Sequence, residues 1–360
     1  MMGRSAEWAY ANARLRANLG SLLGADYFEE ISKLSLSEAL KFIESHPPHG
    51  IQWPEIADEQ SEDIGAILYK AYEEHFLHLS RLLAAPFRRV FILSLEHLVV
   101  DDLKHLIRRI VGGHQGEDRE SAHFLTLERS SIIPDLSKVD DLDALSKRLR
   151  DSVFSSPYEL ARSTFEETKE VLAFEVALDL DYHRRLSMAI QELPAEDAKS
   201  VDAIFRRQCD IKNLQWILRY RFAFQLSEVE IFNYTLSYSY ELNDELVMEL
   251  ARMQEPSESL GILEGLPMGD FLRARLATER ESASLIQIEH MLDIYWEKLH
   301  REALRNGVFG LRPFICYQVL KELERSRLKR CIIGLQLDLP PHEIAQALQL
   351  YPGEGEVKRV

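Results

Sequence analysis

Apolar residues recur at helical spacing along most of the chain. Leu15 and Leu19 are four residues apart, and Leu292, Tyr295 and Leu299 follow one another at intervals of three and four. Such intervals place side chains on one face of an α-helix, whereas a half-buried strand alternates with a period of two. Alternation of that kind is hard to find in this sequence. The pattern therefore predicts an all-α fold.

Local signals mark where helices begin and where they are interrupted. In SLSEAL, Ser35 precedes Glu38 by three residues, which is the spacing of a capping box. In RPFICYQVL, Pro313 suits the first turn of a helix. Clusters of Gly and Pro divide the chain into helical blocks. These clusters are HPPHG (46–50), VGGHQGED (111–118), IIPD (132–135), QEPSES (254–259) and LPMGD (266–270).

The helical blocks resemble one another. SLLGADY, SVFSSPY and GLPMGDF each end in an aromatic residue at the same offset, and these residues are Tyr27, Tyr158 and Phe271. The similarity predicts three repeats, which span residues 1–135, 136–255 and 256–360.

A second recurring feature is an acidic residue four positions before a leucine, at the start of an apolar and basic stretch. The acidic residues are Asp102, Asp210 and Glu324, and the leucines are Leu106, Leu214 and Leu328. The stretches EVALDLDYH and EHMLDIYWE also lie 114 residues apart, as do Asp210 and Glu324.

A catalytic acid should occur once, whereas this acidic position occurs three times. We therefore interpret Asp102, Asp210 and Glu324 as structural. The apolar stripe changes phase between Val201 and Leu214, so we expect Asp210 to cap the start of a second helix by accepting a free backbone N–H.

Composition narrows the function classes. The chain has 43 Lys and Arg against 59 Asp and Glu, and a formal net charge of -16, which disfavours binding to nucleic acid. Its cysteines, Cys209, Cys316 and Cys331, have no C-x-x-C spacing, so neither a disulfide framework nor a zinc site is indicated. The first residues do not resemble a signal peptide, and no stretch approaches the ~20 apolar residues that span a bilayer.

Candidate chemistry is sparse. The Gly112, Gly113 and Gly116 cluster lacks the lysine of a phosphate-binding loop. His75 and His78 have a spacing that could hold a metal, but no third ligand is evident, so a solvated or half-buried helix face is the better interpretation. No metal or other cofactor is predicted.

Two acidic pairs invite comparison with the D-D-x-x-D motif by which all-α isoprenoid synthases bind Mg-diphosphate. The pairs begin at Asp101 and Asp140, but His105 and Ala144 stand where the last Asp is needed. A magnesium ion bound in this way needs converging carboxylates. A loop or a helix start is the better interpretation of both pairs.

Three segments carry a resemblance to a known family. They are YANARLRANLGSLLGADYFEEI, CDIKNLQWILRYRFAFQLSEVEI and RPFICYQVLKELERSRLKRCIIGLQLDLPPHEI. In order and spacing they resemble the C subunits of V-type and A/V-type rotary ATPases, whose counterpart in the eukaryotic vacuolar enzyme is the d subunit. The third segment departs from the family pattern, since Ser326 and Arg327 stand where an Asn is often found.

The resemblance implies a funnel of helices with pseudo-threefold symmetry, present in one copy per complex. It implies a peripheral position on the cytoplasmic side of the membrane proteolipid ring, with the tip of the central shaft in the mouth of the funnel. Members of this family are non-catalytic, so the resemblance assigns no active-site residue.

Two other interpretations stay open at this point. A helical-repeat scaffold for protein interactions should show a period of ~34 to 47 residues, and the repeats found here are about three times longer. An all-α Mg-dependent prenyl-transfer enzyme is weakened by the incomplete acidic motifs. The leading hypothesis is a central-stalk rotor component of an ion-translocating ATPase.

Overall fold

The computed structural model describes residues 2–19, 22–53, 64–112, 136, 139–278, 281–306 and 309–348. Within these ranges the regular structure is helical and contains no strand, which confirms the predicted all-α class. Gly113, Gly116 and the IIPD stretch lie outside the described residues.

The helices, in chain order, are α1 (Met2–Leu19), α2 (Ala25–Ile31), α3 (Leu36–Ser45), α4 (Ile64–Ser80), α5 (Ala85–Ser94), α6 (Glu96–Gly112), α7 (Leu142–Leu149), α8 (Ser155–Thr168), α9 (Leu172–Gln191), α10 (Ala195–Phe222), α11 (Glu228–Tyr234), α12 (Asp244–Ala251), α13 (Ser259–Ile262), α14 (Pro267–Arg275), α15 (Leu285–Asn306), α16 (Arg312–Gln336) and α17 (Pro341–Ala347). A short 3₁₀ helix, Pro256–Glu258, precedes α13.

Several helices begin where their sequence signals lie. Ser35 and Glu38 form the predicted capping box at the start of α3, and Pro313 occupies the first turn of α16. A second capping box joins Ser227 to Glu230 at α11. These reciprocal hydrogen bonds satisfy N–H groups that the first turn of a helix leaves free.

Helices α10 and α15 run antiparallel in a constant register. The amide nitrogen Nε2 of Gln208 lies 2.8 Å from Nε2 of His300. Arg219 lies eleven residues after Gln208 in α10, and it pairs with Glu289, which lies eleven residues before His300 in α15. Helix α16 follows α15 as the second arm of a hairpin, with Arg327 paired to Glu297. Side chains of α15 thus face both α10 and α16, and α9 packs against α10 on another side.

Helix α16 joins the two ends of the chain. It contacts α1, α2, α3, α4 and α5 from the N-terminal part, as well as α10, α15 and α17. Trp8 of α1 packs against Phe87 and Phe314, with ring centroids 4.8 and 6.0 Å away. The larger hydrophobic cluster accordingly runs from Trp8 to Leu348.

A second hydrophobic cluster lies around the later part of α10, together with α12, α14 and α15. Leu180 and Trp216 pack against both clusters. They connect the two cores.

The expected helix start at Asp210 is wrong. Helix α10 is continuous from Ala195 to Phe222, and Asp210 lies in its interior. The change of phase has another cause: Val201 and Phe205 lie in the first cluster, whereas Ile204 and, further along the helix, Leu214 lie in the second. One helix therefore changes neighbours along its length without being interrupted.

Candidate functional site: recurring polar positions and an interior cavity

The recurring acidic residues all lie within long helices. Asp102 is in α6, Asp210 is in α10 and Glu324 is in α16. One turn later, the leucines are buried in every case; they are Leu106, Leu214 and Leu328. Because residues four apart lie on the same face of a helix, each buried leucine keeps the acidic residue one turn earlier close to the hydrophobic core.

Asp210 binds the backbone of the loop that precedes α12. Its carboxylate accepts N–H groups from Tyr240 at 3.1 Å, Glu241 at 2.8 Å and Leu242 at 3.3 Å. Burial raises the pKa of Asp210 to about 6, although the three N–H donors oppose the rise. The predicted chemistry, an Asp that accepts free N–H groups, is therefore present, but the N–H groups belong to a loop 30 residues away rather than to a helix that starts at Asp210.

Asn213, one turn after Asp210, holds the same loop. Its Nδ2 donates to the carbonyl oxygen of Leu236 at 2.9 Å, and its Oδ1 accepts the N–H of Leu236 at 2.7 Å. Two side chains of α10 thus fix both ends of the segment between α11 and α12.

Glu324 binds an N-terminal loop in the same manner. Its carboxylate accepts the N–H of Leu23 at 2.9 Å and the hydroxyl of Tyr72 at 2.7 Å. It also pairs with the ammonium group of Lys321, a side chain that is fully buried. This cluster ties the C-terminal helix α16 to the loop before α2.

Asp102 differs from its two counterparts. Its Oδ2 atom is buried and has no hydrogen-bond partner in the part of the chain that the structure describes. Burial, together with the negative charge of Asp101, raises the pKa of Asp102 to about 8. A carboxyl group in this position is largely protonated at neutral pH.

The aromatic positions occupy three different helices. Tyr27 in α2 donates to the carbonyl oxygen of His46 at 3.0 Å, and Tyr158 in α8 donates to that of Leu142 at 2.8 Å. Phe271 in α14 packs against Tyr295, with ring centroids 5.1 Å apart. Whereas α8 and α14 directly precede long helices, α2 is followed by the shorter α3. The equivalence of the three positions, and with it the three-repeat funnel, stays a prediction.

A closer likeness that sequence reasoning missed lies at the ends of α10 and α16. Gln225 and Asp338 both have left-handed backbone conformations, with φ of 56° and 52°. A leucine follows each of them, and a buried isoleucine lies six residues after each of them, in α11 and α17. The sequence signal for this likeness lies in the two segments that contain these turns, FQLSEVEI (224–231) and LDLPPHEI (337–344). They share the leucine, a Glu and the isoleucine at the same positions.

An interior cavity of about 220 Å³ lies between α5, α6, α9, α10, α15 and α16. Its deeper wall is buried and apolar, and includes Leu186, Ile190, Val201 and Ile315. Its partly exposed lining residues are His97, Gln208, Lys212, Trp296 and Glu322.

Most polar groups of the cavity are paired. His97 Nε2 lies 3.0 Å from a Glu322 carboxylate oxygen. Burial alone would lower the pKa of His97, but the negative charge of Glu322 outweighs burial and raises this pKa. His300 accepts from Gln208, and burial lowers the pKa of His300 to about 4. The Lys212 ammonium group lies close enough to the carboxylates of Asp101 and Asp179 for its positive charge to act on both.

The other candidate chemistry is occupied by structural contacts. His75 has a partner at each ring nitrogen, the carbonyl oxygen of Gly50 at 2.9 Å and the hydroxyl of Tyr317 at 3.0 Å. Asp101 contacts Lys104 at 3.4 Å, and Asp141 caps α7. Across the described ranges, no three His, Cys, Asp or Glu side chains converge as a metal site.

Two further observations concern the cysteines and the lengths of the helices. Cys209, Cys316 and Cys331 are buried free thiols. Of the helices described, none is sufficiently long and apolar to cross a membrane.

These features define a class of protein: an all-α body in which buried carboxylates on long helices hold distant loops in place. Comparison with known families is more specific. The family of the ATP synthase (C/AC39) subunit matches residues 11–347, and the chain belongs to this family.

Curated relatives carry a matching name. The A-type ATP synthase C subunit of Methanothermobacter thermautotrophicus is 26% identical over 323 residues, which is 89% of this chain and 82% of the relative. The protein of the same name from Methanosphaera stadtmanae is 24% identical over 327 residues, which again is 89% of this chain and 82% of the relative. That of Methanocaldococcus jannaschii is 26% identical over 356 residues, or 95% and 86% of the two chains.

Proposed function

We propose that this chain is the non-catalytic central-stalk component of a rotary A/V-type ATP synthase or ATPase. In this role it couples the central shaft to the membrane proteolipid ring. It is present in one copy per complex and is attached peripherally at the cytoplasmic face.

The observation that carries the proposal is the family match over residues 11–347, which covers nearly the whole chain. The relatives matched over most of their own length are named as subunits of an ATP synthase.

The packing of the two chain ends supports a role in transmitting torque. A coupling element must be stiff, and a body whose ends are joined resists opening better than an open array of helices. Here Glu324 binds the backbone at Leu23, and Trp8 packs between Phe87 and Phe314. These contacts join α1 and the loop before α2 to α16.

The test is affinity purification of the tagged full-length chain from membranes of its own source. We expect to recover the nucleotide-binding subunits, the shaft subunits and the proteolipid together, with one copy of this chain per complex. The matched control is the same chain with Leu328→Asp, a core substitution that should abolish recovery. A wild-type chain that is recovered without any rotary component would contradict the proposal.

A further inference from the structure

A closed cycle of hydrogen bonds joins the junction between α5 and α6 to α16. The Ser94 hydroxyl donates to Oε1 of Gln318 at 2.9 Å, and Nε2 of Gln318 donates to Oε1 of Glu322 at 3.1 Å. The other carboxylate oxygen of Glu322 lies 3.0 Å from Nε2 of His97, whose Nδ1 lies 2.8 Å from the carbonyl oxygen of Ser94. The last residue of α5 and the second residue of α6 are thus tied to two residues of α16.

This cycle is complete only when the imidazole of His97 carries two protons. A carbonyl oxygen can only accept, so Nδ1 of His97 donates to Ser94. An ionised carboxylate also can only accept, so Nε2 donates to Glu322. Loss of the Nε2 proton would turn a nitrogen lone pair towards a carboxylate oxygen and break the cycle.

The charges around His97 favour this doubly protonated form. Burial lowers the pKa of His97, but the negative charges of Glu322 and Asp101 outweigh burial and raise the pKa above its ordinary value of 6.5. Titratable and charged groups of four other helices also face His97 or Glu322. They are Tyr69 of α4, Tyr182 and His183 of α9, Lys212 of α10 and His300 of α15.

The two tyrosines and the two histidines in this set are uncharged at neutral pH. Burial raises the pKa of both tyrosines, and it lowers the pKa of His183 to about 3 and that of His300 to about 4. Among the groups named, His97 is therefore the one whose charge changes as the pH rises from neutral to mildly alkaline.

The same junction is bound to α9 by an ion pair of a different kind. Glu96, the first residue of α6, is buried and pairs with Arg185 of α9. An arginine keeps its proton throughout the physiological range. A rise in pH therefore acts on the contact with α16 and leaves the contact with α9 in place.

We propose that the contact between His97 and Glu322 is a proton-operated latch between the α5–α6 junction and α16. The latch is closed while His97 carries both protons. It opens when Nε2 loses its proton, and the junction then stays with α9. The proton can leave through the interior cavity, because both side chains line it and that of His97 is 26% exposed.

The direction of the effect follows from the pKa of His97. Because the folded pKa is above 6.5, the stabilisation that the latch provides is full below about pH 6.5 and is lost as the pH rises through the folded pKa. Opening releases α16 from one of the helices that it holds, so the body becomes less stiff. A weaker coupling of shaft to ring at alkaline pH is a consequence that rests on the proposed function, whereas the latch belongs to the chain alone.

The first test follows the imidazole of His97 by NMR in the purified full-length chain, labelled with carbon-13 at histidine Cε1. His97→Gln assigns the signal. We expect the wild-type titration to have its midpoint above pH 6.5. Glu322→Gln removes the negative charge and should lower this midpoint by about one pH unit or more. A wild-type midpoint at or below pH 6.5, or one that Glu322→Gln leaves unchanged, overturns the latch.

The second test measures amide hydrogen exchange of peptides that cover the α5–α6 junction, at about pH 6 and about pH 9, with correction for the intrinsic exchange rates. Between these two pH values, wild type should lose about fivefold or more in protection relative to His97→Gln, whose side-chain amide has no titration. Asp102 titrates in both proteins, so the comparison isolates His97. His105→Gln, the same change at an exposed position of α6, is the matched control and should follow wild type.

A ratio of wild-type to His97→Gln protection that is the same at both pH values overturns the latch. The proposed function stands in that case, because both tests use the chain without the rest of the complex.

Discussion

At the scale of single residues, the structure depends on buried carboxylates that have specific partners. Asp210 and Glu324 each accept backbone N–H groups from a loop, and such charge-assisted hydrogen bonds are stronger than neutral ones. A buried carboxylate without partners would be costly. These residues therefore specify where the loops lie more than they add net stability.

Glu324→Gln should lower the free energy of unfolding by about 3–5 kcal/mol, because it leaves the buried ammonium group of Lys321 without its counter-ion. The double variant Lys321→Met/Glu324→Gln should recover much of this loss. Urea unfolding of both variants measures the difference, with the exposed Glu29→Gln as control. Equal stability of the single and double variants would contradict the assignment.

Asp102 should make stability depend on pH. Its folded pKa of about 8 is above its ordinary value of 3.8, so the stability it contributes is full below about pH 4 and is lost as pH rises towards 8. Asp102→Asn removes this titration. The unfolding free energy of wild type minus that of Asp102→Asn should therefore decrease between about pH 4 and about pH 8 in denaturant titrations.

A difference that stays constant over this range would show that Asp102 is not buried as described. Asp140→Asn, the same change at an exposed position outside the helices, is the matched control.

The sequence predicted that these acidic positions are structural, but it could not predict their partners. The recurrence of an acidic residue four positions before Leu106, Leu214 and Leu328 could be recognised in the sequence, because residues i and i+4 lie on the same face of a helix. The partners lie far away in sequence: Leu23 is 301 residues from Glu324. Contacts of that range depend on tertiary packing and leave no local pattern.

At the scale of elements, the turns after α10 and α16 are built alike. In each turn the residue with positive φ lets the chain reverse and start a short helix. The exposed residues Phe224 and Leu337 directly precede these positions. The two turns share this conformation, and the relationship between the second and third repeats stays a prediction.

Gln225→Gly should raise the free energy of unfolding by about 0.5 kcal/mol, because glycine adopts positive φ without the cost that a β-carbon brings. Asp338→Gly should gain less, since Asp tolerates this conformation better than Gln does. Gln225→Val should lower stability by about 1 kcal/mol. A Gly variant that is less stable than wild type in urea unfolding would contradict the assigned turn.

Helix boundaries were predictable where a local hydrogen bond sets them, as at Ser35, and not where tertiary packing does. The apolar pattern within α10 suggested a break near Asp210, but it reflects a change from one hydrophobic cluster to the other. Periodicity alone does not distinguish these two causes, because both shift the buried face of a helix.

At the scale of the whole molecule, α16 connects the N-terminal helices to the hairpin partner α15. Leu328 lies fully buried in this helix, and Leu214 is fully buried in α10. Each position belongs to a different hydrophobic cluster.

Leu214→Asp and Leu328→Asp should each lower the free energy of unfolding by about 4 kcal/mol or more, because each buries an unpaired charge. Ile286→Asp is the matched control, since that side chain is 76% exposed and the change should stay within about 0.5 kcal/mol. Thermal and urea unfolding measure the three variants. Wild-type stability in either leucine variant would contradict the core placement.

The central claim is that this chain couples the shaft to the ring, and one paired measurement tests it most directly. ATP hydrolysis and ATP-driven ion pumping are measured on the same reconstituted preparation, with this chain omitted and then added back. The account predicts that hydrolysis stays detectable without the chain while pumping is lost, and that the wild-type chain restores pumping whereas Leu328→Asp does not. Unimpaired pumping by an assembly that lacks the chain would contradict the account.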